Sequence, residues 1–217
     1  MESAPASENV WLGDLLRRRR SVRRFENRPV PHDLLRQALD MARWAPSGAN
    51  RQPWHFIVVT DDGARRQLAD SARAALFDLN AHLREAGAVI VACSDPRVSK
   101  WHLYDVSAAV MCLLLALQSL GLGACWVGMF DEARVKQLLD IPAALRVAAL
   151  VPVGYSAERP APSPRLEVGE ITFWQRWGGR DPAGAPVSRT RLGRRGVPSV
   201  LRKALRNFAS RVLRRKR

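Results

Sequence analysis

A chain of 217 residues, 47% of them hydrophobic, has room for one domain with a substantial core and is too apolar for wholesale disorder. Its formal charge of +15 looks like the mark of a polyanion-binding protein until it is located. Of the 35 Lys and Arg residues, 13 lie from Gly178 onward against the single acid Asp181, so residues 1–177 carry only +3 and their role does not rest on basicity.

Residues 1–9 are small, polar and acidic, so no signal peptide is expected. Residues 11–19 are predicted as a short helix with Leu12, Leu15 and Leu16 on one face. A second helix starts at Pro31 and carries Leu34, Leu35, Ala38, Leu39 and Ala42 at helical spacing. It ends near Ala45, because Pro46 disfavours helical geometry in the residue before it. Residues 46–53 read as a loop and 54–60 as a buried strand. Asp61 or Asp62 then caps a helix running through the seventies and eighties, followed by a buried strand at 88–93.

Asp105 is expected to cap a long apolar helix reaching Leu120, with Gly121 and Gly123 ending it. Its apolar stretch, 106–117, is too short to span a bilayer and suits a core or interface helix. A short extended piece at 124–128, a helix at 131–139 and a strand at 147–153 closed by Gly154 and Tyr155 complete the body. Helices alternating with a few apolar strands give an α+β domain with a mixed central sheet. Residues 178–198 mix glycine, proline and arginine and read as a linker. In 199–217, Leu201, Leu205, Phe208 and Val212 share one face of a basic amphipathic helix. Three readings of that helix stay open: an anionic membrane surface, docking on this protein or an acidic partner, and, less favoured, nucleic acid.

No GxGxxG, P-loop, HExxH or GxSxG pattern is present in the sequence. His32, His55, His82 and His102 lack metal-ligand spacing, and no metal site is expected. Cys93, Cys112 and Cys125 form no CxxC pair and sit in apolar runs, as small buried side chains do in a reducing cytosol.

Three segments stand out. RRSVRRF at 19–25, if extended, projects Arg19, Ser21 and Arg23 to one side, where two guanidinium groups and a hydroxyl can grip a phosphate. A solvated basic helix end explains the same residues. APSGANRQPW at 45–54 is a proline-bracketed loop whose Ser47, Asn50 and Gln52 suit a polar heterocycle edge, or an ordinary connection. GLGACWVG at 121–128 is a glycine-punctuated turn able to present backbone N–H groups to a flat ligand, or a packing device.

In this order and at these distances the three segments resemble the nitroreductase and flavin-reductase family, with its RRSxRxF start, APSxxNxQPW loop and GLGxxWxG turn. Pro142 and the strand ending at Tyr155 match as well. The resemblance covers about residues 11–177 and implies an FMN-binding domain at 1–177; the linker at 178–198 and the basic helix at 199–217, read from composition, lie outside it. It implies a nitroreductase-like fold, α+β with a mixed central sheet flanked by helices, in a cytoplasmic homodimer with FMN at the subunit interface.

Carried over, Arg19, Arg20, Ser21 and Arg23 bind the FMN phosphate and ribityl chain, and Arg165 is the nearest match to the family's late basic residue. Pro46, Ser47 and Gly48 come from the partner subunit, with Asn50 close by. The backbone of Trp126, Val127 and Gly128 faces the flavin, that of Gly128 near N5, and no catalytic side chain is assigned. NADH or NADPH is the implied donor. A small electron-poor molecule, such as a nitroarene, quinone or activated alkene, is the acceptor in a ping-pong cycle. Reductive dehalogenases, other specialised flavin enzymes and a flavin-binding protein without turnover are the alternatives on this scaffold. Lys100, Trp101, His102 and Tyr104 either line the substrate side or form a surface loop with an aromatic anchor.

Overall fold

The computed structural model describes residues 6–72 and 81–183. The chain divides into two compact units, Met1–Ala161 and Pro162–Arg217. The proposed 1–177 domain therefore takes in the start of the second unit. The predicted linker from Gly184 and the predicted basic helix lie outside the described residues.

In the first unit, helices α1 (Ala6–Arg18), α2 (His32–Ala42), α3 (Asp62–Ser71), α4 (His82–Glu85), α5 (His102–Ser119) and α6 (Glu132–Leu138) surround a four-stranded sheet. The strands are β1 (Trp54–Val59), β2 (Ala88–Ser94), β3 (Gly123–Ala124) and β4 (Arg146–Gly154), in the order β1-β2-β4-β3. All three ladders are antiparallel, and an isolated parallel bridge joins Ser21 to Ala124. The α+β architecture expected from the alternating elements is the one observed.

Strand alternation divides the core. Ala88, Ile90 and Ala92 point into a cluster with Leu35 and Ala38 of α2 and Val106, Leu113 and Leu117 of α5. Val89, Val91 and Cys93 point the other way, among Leu68, Leu83, Val135 and Leu150. With both faces covered, every residue of β2 is buried. Each fully buried Leu or Ile contributes roughly 1.5–3 kcal/mol. β1 departs from its expected burial: it is the sheet's edge, and His55 and Val58 are exposed. An apolar run marks a strand but not its place in the sheet.

Helix boundaries follow their caps. Asp61 accepts the Ala64 N–H at 2.8 Å to start α3, and Asp131 accepts the Arg134 N–H at 3.1 Å to start α6. Of the helix expected through the seventies and eighties, α3 ends at Ser71 and α4 occupies His82–Glu85, while residues 73–80 lie outside the described residues. α5 ends as predicted: Gly121, at φ +77, lets Leu122 N–H reach the Leu117 carbonyl at 2.8 Å while its own N–H reaches Gln118 at 3.2 Å. The expected start of α5 is corrected, because Asp105 lies inside its first turn, not at its cap. At 18 residues α5 is long and apolar enough to cross a membrane by length and composition alone. Instead it packs on α2 and the sheet, with eight residues buried.

In the second unit, α7 (Val168–Ile171) opens on a capping box between Glu167 and Glu170. The Phe173 and Trp177 rings meet at a tilt just beyond it, centroids 4.5 Å apart.

Candidate functional site

The chain leaves α1 at Arg18 and becomes extended beside β3. Ser21 bridges Ala124, and the Val22 N–H donates to the Ala124 carbonyl at 3.0 Å. Contact is close here: a Cβ on Gly123 would lie 2.9 Å from a Val22 methyl, so only glycine admits the strand at this distance. Glu158 fixes the far side, its Oε1 accepting the backbone N–H groups of Arg23 at 2.6 Å and Arg24 at 3.1 Å.

The charges of Arg19 and Arg23 and the hydroxyl of Ser21 all act on the Cys125 thiol. Burial pushes the Cys125 thiol up, against the opposing pull of Arg23, the Ser21 hydroxyl and Arg19. Arg20 is not brought into this group. Its guanidinium turns back to the carbonyls of Arg17 and Arg19, the latter at 2.9 Å, and caps the end of α1.

After β3 the chain runs on along β4. Val127 exchanges both backbone hydrogen bonds with Leu150, at 2.9 and 3.0 Å. Its N–H is therefore engaged within the sheet. The N–H groups of Trp126 and Gly128 have no partner among the described residues, and both residues are exposed.

Loop 46–53 is strained. Of five non-glycine residues with positive φ among the described residues, three lie here: Ala49 at 52°, Asn50 at 53° and Gln52 at 47°. Such residues persist only where surrounding contacts over-determine them. Ser47 Oγ accepts the Gln52 N–H at 3.0 Å, and Gln52 Nε2 donates to Asn50 Oδ1 at 3.2 Å. Pro46 and Asn50 stand exposed, with Ser47 and Gly48 half-buried. Gly48 N–H donates to the Asp105 carboxylate at 3.1 Å, whose other oxygen accepts the Ser99 hydroxyl at 2.9 Å. Sequence reasoning missed Asp105 and Glu158 as site-building residues, since neither contact is local.

Within one chain these segments do not converge. Loop 46–53 adjoins the start of α5, whereas Ser21, Gly123 and Ala124 adjoin its end. An 18-residue helix is about 27 Å long, so the two clusters sit a helix length apart. The exposed face of that helix carries Leu103, Tyr104 and Met111, with Met41 exposed on α2 and Trp44 exposed just beyond its end. Arg165 belongs to the second unit, where it donates to the carbonyls of Ser163 and Pro164 at 3.2 Å. The Trp101 and Tyr104 rings meet at a tilt, centroids 5.9 Å apart, with Lys100 Nζ 5.0 Å from the Trp101 ring centre, at the start of α5.

The model of the Nitroreductase family matches residues 16–88 and 77–155 of this chain. An NADH dehydrogenase of Thermus thermophilus is 32% identical over 195 residues, covering 73% of this chain and 93% of its own length. The crystal structure of an iodotyrosine deiodinase bound to FMN and 3-iodo-L-tyrosine is 32% identical, with a TM-score of 0.67 over 72% of this chain and 96% of that one. An FMN-dependent nitroreductase from Clostridium difficile R20291 is 25% identical, with a TM-score of 0.66 over 72% of this chain and 94% of its own.

Proposed function

The chain belongs to the nitroreductase family, and from that premise we propose that it is a homodimeric, FMN-dependent oxidoreductase with its sites shared between subunits. Bound FMN supplies the redox chemistry, taking hydride from NADH or NADPH and passing electrons to a small electron-poor acceptor in a ping-pong cycle.

The residues present fit this cofactor. Arg19 and Arg23, with the Ser21 hydroxyl, make a cationic, hydrogen-bonding cradle for a phosphate. Trp126 and Gly128 offer free backbone donors to a ring edge, Gly128 near N5. Pro46, Ser47, Gly48 and Asn50 form a rigid polar rim.

The observation that carries the shared site is the placement of cradle and rim at opposite ends of α5. Two copies packed antiparallel across the exposed face of α5 bring the rim of one to the cradle of the other, twice. The exposed Leu103, Tyr104 and Met111 are the apolar surface such packing covers. Trp101 and Tyr104 then flank the acceptor side. The likeness to an iodotyrosine deiodinase makes a halogenated phenol a test acceptor beside a nitroarene and a quinone.

We further propose that the protein works in the cytoplasm and that its basic C-terminal residues serve an anionic membrane surface or an acidic partner. The deciding experiment is the visible spectrum of the purified protein. A flavin spectrum bleached by NADH or NADPH and restored by acceptor is expected; protein that neither carries nor binds FMN overturns the reading. Arg23→Ala tests the cradle: flavin occupancy falls about tenfold in a protein that remains folded.

A further inference from the structure

We propose that Asp105 is a positioning residue for the cofactor-facing rim, its buried carboxylate fixing loop 46–53 and Trp101 as one preformed surface. This rests on the flavin reading above.

The carboxylate is 7% exposed and has no cation within ion-pair distance among the described residues. Burying an unpaired charge is costly unless hydrogen bonds compensate it, so its two donors define its role. One is the Gly48 N–H at 3.1 Å, reached across 57 residues; the other is the Ser99 hydroxyl at 2.9 Å. Ser99 Oγ in turn accepts the Trp101 N–H at 3.1 Å, and the Trp101 carbonyl accepts the Asp105 N–H at 3.0 Å. The network thus runs from the rim, through the carboxylate, into the turn that carries Trp101. The Trp101 ring lies over Gly48, its Cδ1 3.4 Å from where a Cβ at that position would sit.

The rim needs such a tie. Ala49 and Asn50 follow Gly48 in the left-handed region, which L residues occupy only under constraint. The Gly48 bond pins the start of that strained turn to α5, the longest rigid element described. Loss of the acceptor frees the turn to relax, and Ser47, Gly48 and Asn50 then meet the cofactor only after paying ordering entropy.

The requirement is for an acceptor facing Gly48 and a polar partner facing Ser99, not for negative charge. Asparagine meets both: its Oδ1 accepts from Gly48, and its Nδ2 donates to Ser99 Oγ. Alanine meets neither.

The test compares Asp105→Asn, Asp105→Ala and Ser99→Ala as full-length dimers. FMN dissociation constants come from flavin fluorescence, and the environment of the ring comes from visible circular dichroism. Asp105→Ala is expected to bind FMN about tenfold more weakly, with an altered visible dichroism, while Asp105→Asn stays within about threefold of the parent. Ser99→Ala, which removes one donor and keeps the Gly48 bond, falls between them and serves if the alanine variant does not fold. Two results overturn the proposal: Ser99→Ala and Asp105→Ala binding FMN like the parent with unchanged dichroism, or Asp105→Asn failing as fully as alanine. A parent protein that binds no FMN would instead overturn the flavin reading itself.

Discussion

The carboxylate of Glu158 lies 2.6 Å from the backbone nitrogen of Arg23, a residue 135 positions earlier in the chain. It accepts from Arg24 as well, so a single oxygen sets the course of the arginine segment past β3. Replacing Glu158 with alanine leaves two N–H groups to water and costs about 0.5–1.5 kcal/mol of stability. Flavin loading is expected to fall several-fold, more than the change in Tm alone accounts for, because Arg23 loses its fixed direction. Comparing occupancy with thermal unfolding of Glu158→Ala checks this; full loading at a lowered Tm would confine Glu158 to a purely structural role.

A charge on the exposed face of α5 should separate the subunits. Met111 is 37% exposed in the single chain and lies two turns from Leu103. Met111→Arg in a paired, dry interface leaves an unpaired charge on each side, which costs several kcal/mol. Sedimentation at micromolar concentration is expected to show monomers that have lost flavin together with the partner's rim. A flavin-loaded monomer would contradict the shared site.

Acid sensitivity has a specific source in the clamp between α6 and β4. Burial pushes the Glu132 carboxyl up, but hydrogen bonds from Arg146, the Val147 N–H and Lys136 outweigh it and hold it down at about 2, against an ordinary value of 4.5. The stabilisation is therefore fully present above pH 4.5 and fades as pH falls through about 2. Glu132→Gln should lower Tm by several degrees at neutral pH, and the gap to the parent should close as the pH drops toward 2. A gap that is constant across that window would remove the linkage.

Removing residues 184–217 should leave FMN binding and NAD(P)H oxidation intact, since every cradle and rim segment precedes them. The same truncation should abolish co-sedimentation with anionic vesicles at low salt, with neutral vesicles binding neither protein. Full-length protein that ignores anionic vesicles would exclude the membrane role.

Much of this architecture was legible in the chain because its signals are local. Asp61 and Asp131 cap helices three residues before the N–H groups they accept, and Gly121 ends α5 through its own backbone freedom. Asp105 was misread because an aspartate before an apolar run has the same local signature whether it caps a helix or reaches across to Gly48. β1 was read as buried because nothing in its residues reports which strands flank it. Glu158 gave no signal at all, its partner being 135 residues away. The rim and cradle were recognised as segments, yet their separation along α5 is a tertiary fact that no spacing in the sequence encodes.

That separation has a genetic consequence. In the shared-site dimer proposed above, each α5 carries the rim for one site and the cradle for the other, so lesions at its two ends would fall in different sites of a mixed dimer. A chain defective at Arg23 paired with one defective at Asp105 assembles one site bearing both lesions and one bearing neither. Two inactive alleles of this kind should therefore complement each other when co-expressed, whereas two alleles damaged at the same end of the helix should not.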